Sequence, residues 1–518
     1  MSLAIVSSEP ERSSQNLSLE TDSLVSGLSF MLVANVLQRG IGFIRNLILC
    51  RFLAEEQLGL WALSTSFFML AAPLAVLGLP GTFGRFVASY RASGQLNLFL
   101  KRMAIGSTIG ALCCVTTLIA APSWSSSIIY GLELTPWTMA LIALALCLLI
   151  VFNSTTELLS GLLKPRLVSA MHTCNSIVFT ISSLTGVMLF NDWRVLVAAF
   201  AIGAGAGMIP AIPALRNWGE IESTSQPQMS LVAMWRRVLP FAMSIWCMNL
   251  LVNLFDVVDR YMLLHLATET AEQGRALVGQ FHSGRILPTL LSSLTLMLNG
   301  LLLPYLASEW ESGNQSKVAD FQRITLKCAA LFFMLLSVGS LAVAPVLFEH
   351  VLDGKYADGL SIMPQAMLHC CFTALACLMQ NYFWCAERGK TVGLIILVGL
   401  IMNVILNAWW VPHLGLQGAM TATSLSGAAM LILTLVEMHR SGVELRMRCI
   451  WFTLLPISLL FGNVPSAMVL SMVFVLIGRT DWLLTNEEKS AVDKAAIPKL
   501  KQLGFSIQTL WSPTPTGR

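Results

Sequence analysis

Arginines stand in this sequence where hydrocarbon-compatible residues are expected. The run from Leu24 to Leu49 is as long as a bilayer-spanning helix, yet it carries Arg39 and Arg45. An arginine near mid-bilayer costs about 2.5–3.5 kcal/mol on insertion scales, so it faces protein interior or water. Asn35, Gln38, Arg39, Gly42, Arg45 and Asn46 recur at helical spacing and fall within about one third of the circumference. Leu32, Val36, Phe43 and Leu47 take a different face. Arg45 lies near the far end of the run, where snorkelling to the interface is an alternative. Arg39 lies deeper, and a wet cationic face there suits an anion.

A second apolar run repeats the arrangement. Asn249, Asn253, Asp256 and Arg260 sit at i, i+4, i+7 and i+11, with Asp259 beside them. The next run carries His282 and Arg285, three apart; others pair Asn153 with Glu157 and Asn403 with Asn407, one turn apart each. Arg39, Arg45, Arg260 and Arg285 are the candidate anion ligands, because a guanidinium fork holds two phosphate oxygens at once. Asn35, Gln38, Asn249, Asn253, Asn403 and Asn407 would line the same cavity with hydrogen-bonding groups. Asp256, Asp259, Glu157 and His282 are candidates for coupling to a cation or proton. The competing structural reading pairs Asp256 or Asp259 with Arg260 or Arg285.

The elements that must position these residues are membrane helices. Of 518 residues, 55% are hydrophobic and 12% charged, where soluble domains carry about 25% charged. Apolar runs cover 24–49, 58–84, 99–121, 136–160, 167–190, 193–215, 238–266, 277–304, 326–349, 361–386, 390–411 and 416–438. A last run, 449–478, is interrupted at Gly462-Asn463-Val464-Pro465 and reads as one tilted span or a short hairpin. Inner turns would hold seventeen Lys and Arg, from Arg85 to Arg448, against Arg51, Arg194, Arg275 and Lys355 outside. That bias predicts a cytoplasmic N-terminus. The basic tail favours an inside C-terminus, hence fourteen helices with a short last pair. The expected organisation is a disordered cytoplasmic leader 1–23, an N-lobe 24–220, a linker 221–237, a C-lobe 238–440, the 449–478 segment, and a cytoplasmic tail 479–518 with an amphipathic stretch at 487–503.

The two lobes look like parallel repeats. The Asn/Arg stripes of the first and seventh spans match in spacing. Each is followed by acidic residues, Glu55-Glu56 and Glu269 with Glu272, and then by a Gly-x-aromatic entry, Gly59-Leu60-Trp61 and Gly279-Gln280-Phe281. Six spans separate the mates, so both lobes share one orientation about an axis along the membrane normal. If the repeat-mate helices face each other across the lobe interface, the arginines surround a central cavity.

Several segments resemble polysaccharide-biosynthesis flippases of the multidrug/oligosaccharidyl-lipid/polysaccharide (MOP) superfamily. These are Arg45 to Leu53 followed by Glu56 to Ala62, Leu77-Gly78-Leu79 followed by Arg85-Phe86, Asn403 to Gly427, and the tail Trp482 to Lys489. The resemblance covers roughly 24–500, except that 449–478 is short for the family's last two helices. It implies an all-α polytopic protein of about fourteen transmembrane helices, two six-helix lobes related by a pseudo-twofold plus two short C-terminal helices, rocking between inward- and outward-open states. The implied substrate is an undecaprenyl-diphosphate-linked oligosaccharide carried across the plasma membrane, with a polysaccharide polymerase and export machinery as further partners. A diphosphate and sugars cannot cross hydrocarbon unaided.

Other classes fit less well. A multidrug or cation antiporter of the same superfamily would want acidic, aromatic cavities, which four intramembrane arginines oppose. A lipid II flippase would use the same cationic chemistry. Asn253-x-x-Asp256-x-x-Asp259 is similar to one aspartate-rich motif of intramembrane prenyltransferases. Those enzymes need a second, and Asp192, Asp320, Asp353 and Asp358 stand singly; the protein is expected to be a non-enzyme without cofactor. Twelve cysteines lie mostly in apolar runs without a C-x-x-C, so neither a metal site nor a disulfide framework is expected. Nor is a nucleic-acid partner.

Overall fold

The computed structural model describes residues 36–216, 230–445, 447–490 and 493. Asn35, the leader, most of the amphipathic stretch and most of the tail lie outside the described residues. Most of those described are helical, with no strand among them.

The order is α1 (36–52), α2 (Glu55–Val76), α3 (Phe83–Ala92), α4 (Leu96–Ala120), α5 (Pro122–Tyr130), α6 (Pro136–Gly161), α7 (Pro165–Phe190), α8 (Trp193–Ala206) and α9 (Ile212–Arg216). After residue 230 come α10 (Leu231–Leu266), α11 (Ala271–Gly284), α12 (Ile286–Glu311), α13 (Gln315–Val346), α14 (Ala357–Ser361), α15 (Met363–Cys385), α16 (Gly389–Arg440), α17 (Met447–Leu454) and α18 (Asn463–Arg479). Nine helices among the described residues are long and apolar enough to cross a membrane, and shorter apolar ones follow at 447–461 and 463–479. The 449–478 run is therefore two short segments, which part at Gly462. Residues 231–237, read as linker, open α10.

Local chemistry explains the ends. Thr135 caps α6 by accepting from the Thr138 amide, with Pro136 at the first helical position. Asp192 caps α8 through the Arg194 amide at 2.8 Å. Two expected spans are broken. The 58–84 run stops at Leu77 and Gly78, both at positive φ. A Cβ on Gly78 would lie 2.5 Å from the Ala242 carbonyl oxygen, so only glycine allows this approach to α10. The 277–304 run breaks at Arg285, which joins α11 to α12. Gly415 (φ 51°, ψ −124°), after Pro412, breaks α16 into two helical arms, which correspond to the expected spans 390–411 and 416–438.

The chain forms two compact units. The first holds residues up to 52, 67–128 and 132–250; the second holds 53–66, 129–131 and 251 onward. In the first, Phe83, Phe86, Tyr90, Phe99, Met103 and Val238 make a core in which Tyr90 and Phe99 stack at 4.4 Å. Its outward residues, Val36, Ile44, Ile105, Ile109 and Ile181, are exposed and apolar, as a hydrocarbon surround demands. In the second, α15 is buried along most of its length, His369, Gln380 and Asn381 included. It packs against α12, α13 and α16.

Candidate functional site

The second unit contains a buried carboxylate held by three donors. Asp259 of α10 has no exposed surface. Its Oδ1 accepts from Asn407 Nδ2 at 2.7 Å and Asn403 Nδ2 at 3.1 Å, and its Oδ2 accepts from Thr423 Oγ1 at 2.7 Å. Asn407 also donates to Asn403 Oδ1, leaving its own Oδ1 buried without a partner. The paired asparagines thus meet the aspartate the sequence singled out, across the kink of α16. Thr423 carbonyl oxygen lies 3.1 Å from His369 Nδ1, and Phe255 stacks on that imidazole. A buried carboxylate costs several kcal/mol unless neutralised or fully hydrogen-bonded, and this one has hydrogen bonds in place of an ion pair.

The neighbouring Arg260 points elsewhere. Its Nη1 donates to Ser66 Oγ at 2.6 Å and to the Ala62 carbonyl at 3.5 Å, while its Nε is buried without a partner. No carboxylate lies within 4 Å of it among the described residues, so the expected alternative of an Asp259–Arg260 pair does not form. Arg285 does find a carboxylate, loosely, with Nη2 at 3.8 Å from Asp256 Oδ1 and Nη1 donating to the Asp256 carbonyl at 3.4 Å. His282 is half-buried on the turn before it.

The first unit contains the other cationic helix. Gln38 Nε2 donates to Thr173 Oγ1 at 2.8 Å, and two turns on Arg45 Nη1 reaches Thr180 Oγ1 at 3.5 Å. The Arg45 guanidinium lies 4.1 Å from the Phe179 ring centroid, a cation–π contact, with its Nε unpartnered. Arg39 is exposed. The expected wet face of α1 therefore runs along a polar stripe of α7: Ser169, His172, Thr173, Ser176, Thr180 and Ser183, at i, i+3, i+4, i+7, i+11 and i+14. Sequence reasoning missed that stripe although its period is plain, and missed Thr423 and Ser66, which have no local signature. Glu157 and Asn249 are exposed, on α6 and at the middle of α10, and Asn253 is half-buried. Among the described residues no hydrogen bond or ion pair joins Glu157 to either cluster.

Within the second unit the N-terminal parts of α2 and α11 meet. A Cβ on Gly59 would lie 1.9 Å from the Arg275 carbonyl oxygen, and one on Gly279 would lie 2.0 Å from that of Glu55. The two Gly-x-aromatic entries are thus pressed backbone to backbone. Arg275 flanks the contact, its Nε and Nη2 2.8 and 2.7 Å from Glu56 Oε1 and its Nη1 donating to the Gly131 carbonyl. Tyr356 donates its hydroxyl to the Leu53 carbonyl at 2.9 Å.

A family model described as polysaccharide biosynthesis protein matches residues 24–310, more than half of the chain. The chain belongs to that family. Over 104 residues, 19% of its length, this member of the polysaccharide biosynthesis family is 26% identical to stage V sporulation protein B of Bacillus subtilis (strain 168), a match spanning 20% of that protein. Its fold is similar to that of the lipid II flippase MurJ in an inward closed conformation: TM-score 0.64, 12% identity, 86% of this chain and 98% of that one. It is also similar to an outward-facing multidrug resistance MATE family transporter of the MOP superfamily: TM-score 0.58, 15% identity, 80% and 96% of the two chains. At these identities the likeness shows the fold, that of MOP-type transporters.

Proposed function

We propose that the protein translocates an undecaprenyl-diphosphate-linked oligosaccharide, a polysaccharide or O-antigen repeat unit, across the plasma membrane by alternating access, its N-terminus cytoplasmic. The observation that carries this reading is Arg260: a guanidinium inside a membrane helix, with no carboxylate within 4 Å among the described residues and with an unpartnered buried Nε. Cations at such depth with no carboxylate in contact are costly and mark substrate pathways. Arg39, Arg45 and Arg285 complete the set that meets the diphosphate. Asn253, Asn403, Asn407 and Gln38, with the α7 stripe, offer hydrogen bonds to sugar. An apolar groove of about 570 Å³ between α17 and α18, walled by Trp451, Phe461, Met472 and Trp482, suits the lipid tail. A polymerase and export machinery would receive the product.

Asp259 is the favoured coupling residue. Its carboxylate is held by the Asn403 and Asn407 amide groups and the Thr423 hydroxyl, a polar shell around a group able to take up a proton or a small monovalent cation. The unpartnered Asn407 Oδ1 supports a ligand there. Asp256, Glu157 and His282 are more exposed or lack such a shell.

The test uses the full chain in proteoliposomes loaded with a fluorescent lipid-linked oligosaccharide. Arg39→Ala and Arg260→Ala abolish translocation while the protein stays folded in the bilayer; undiminished transport by both variants overturns the reading. The likeness to MurJ favours lipid II as the alternative cargo, which carries the same diphosphate. Rescue of cells lacking their essential lipid II flippase would assign the chain to that substrate.

A further inference from the structure

A groove in the first unit has no part in the transport reading. It runs between α4 and α6 and encloses about 670 Å³. Small side chains, Ala104 and Ala111 on α4, leave room opposite Cys147, Val151 and Ser154 on α6. Helix α4 is the least buried of the membrane-length helices, with 11% of its most apolar window inside the protein. The groove is therefore open to bilayer lipid.

One end of the groove is charged and the rest is apolar. Lys101 lines the mouth. Arg102 follows it, and Lys164 and Arg166 stand at the turn from α6 to α7, at the same end. Glu157 is the one carboxylate on this stretch of α6, so the end stays cationic. This is the Lys/Arg-rich side assigned to the cytoplasm. From Asn97 to Leu112, the groove's limits on α4, fifteen residues of helix cover about 22 Å. The hydrocarbon of one leaflet is about 15 Å deep. The length fits one acyl chain with its phosphate at Lys101 and is far too short for an undecaprenyl chain.

We infer that the α4–α6 groove binds an anionic phospholipid of the cytoplasmic leaflet, its phosphate on Lys101 and one acyl chain against Ala104, Ala111 and Val151. Basic recesses between membrane helices on this side are suited to such headgroups. The lipid fills a face that protein leaves unpacked and holds α4 against α6.

Native mass spectrometry of the detergent-purified full chain, titrated separately with phosphatidylglycerol and phosphatidylcholine, tests this. The wild-type protein retains one more phosphatidylglycerol than phosphatidylcholine. Lys101→Gln, at an exposed position, weakens that last phosphatidylglycerol about five-fold without changing phosphatidylcholine retention. Ala104→Leu, which fills the groove, removes that additional phosphatidylglycerol and leaves phosphatidylcholine retention unchanged. Equal retention by the wild-type protein and Lys101→Gln overturns the inference even if Ala104→Leu fails to fold. Displacement of the bound phosphatidylglycerol by undecaprenyl phosphate at equal concentration also overturns it, assigning the groove to a substrate tail.

Discussion

Replacing Glu56 by Gln removes the charge from the contact between the N-terminal parts of α2 and α11. Arg275 has a side chain only 10% exposed, and both its Nε and Nη2 lean on one oxygen, Glu56 Oε1. Breaking a fully buried ion pair from one side costs about 3–5 kcal/mol. Glu56 is 35% exposed, so solvent screens part of that, and glutamine keeps one acceptor oxygen. The expected loss is about 1–2 kcal/mol of local stability. Residues 53–66 then open about five- to thirty-fold more often. Hydrogen–deuterium exchange read by mass spectrometry on peptides from 53–66 measures the opening, with α15 peptides as an unchanged reference. Arg275→Gln should match it, and the double variant should add little, since both remove one interaction. Exchange in 53–66 that stays within a factor of two of the wild type in both single variants refutes the argument.

Gly279→Ala forces a Cβ to within 2.0 Å of the Glu55 carbonyl oxygen; crosslinking between cysteines placed on the first turns of α2 and α11 should fall, and undiminished crosslinking counts against the close approach. Asn407→Ala strips one of three donors from a buried carboxylate at a cost of about 1–3 kcal/mol, visible as a lower melting temperature, and Asp259→Asn should abolish any sodium-dependent rise in that temperature. Beyond α18, the hydrogen bond from Lys489 at 2.8 Å holds the Asp481 carboxyl below its ordinary range. A depressed carboxylate stabilises the folded segment above its unfolded pKa of about 3.9, and the gain is lost as pH falls through the folded value. Exchange in 480–490, corrected for intrinsic rate, should therefore rise below about pH 4 in the wild type and be insensitive to pH there in Lys489→Gln.

The helices were legible because unbroken apolar runs have one solution in lipid. The breaks were not. Leu77-Gly78 interrupts a run whose hydropathy is continuous, and the cause is the approach of Ala242, far along the chain. At the site, the turn-apart spacing of Asn403 and Asn407 correctly put both on one face, but spacing carries no news of what lies 144 residues away. Adjacency misled for Asp259 and Arg260, because consecutive helical residues point in different directions. Gly59 and Gly279 were found by their order in the two halves, and that order corresponds to a direct contact.

Asp259 holds residues from both sides of Gly415: Asn403 and Asn407 from the arm before the bend, Thr423 from the arm after it. A single carboxylate is thus the rivet through both leaves of a hinge. The donors before the bend and the donor after it are fastened to the same oxygen pair, so removing Thr423 alone frees one leaf and removing both asparagines frees the other.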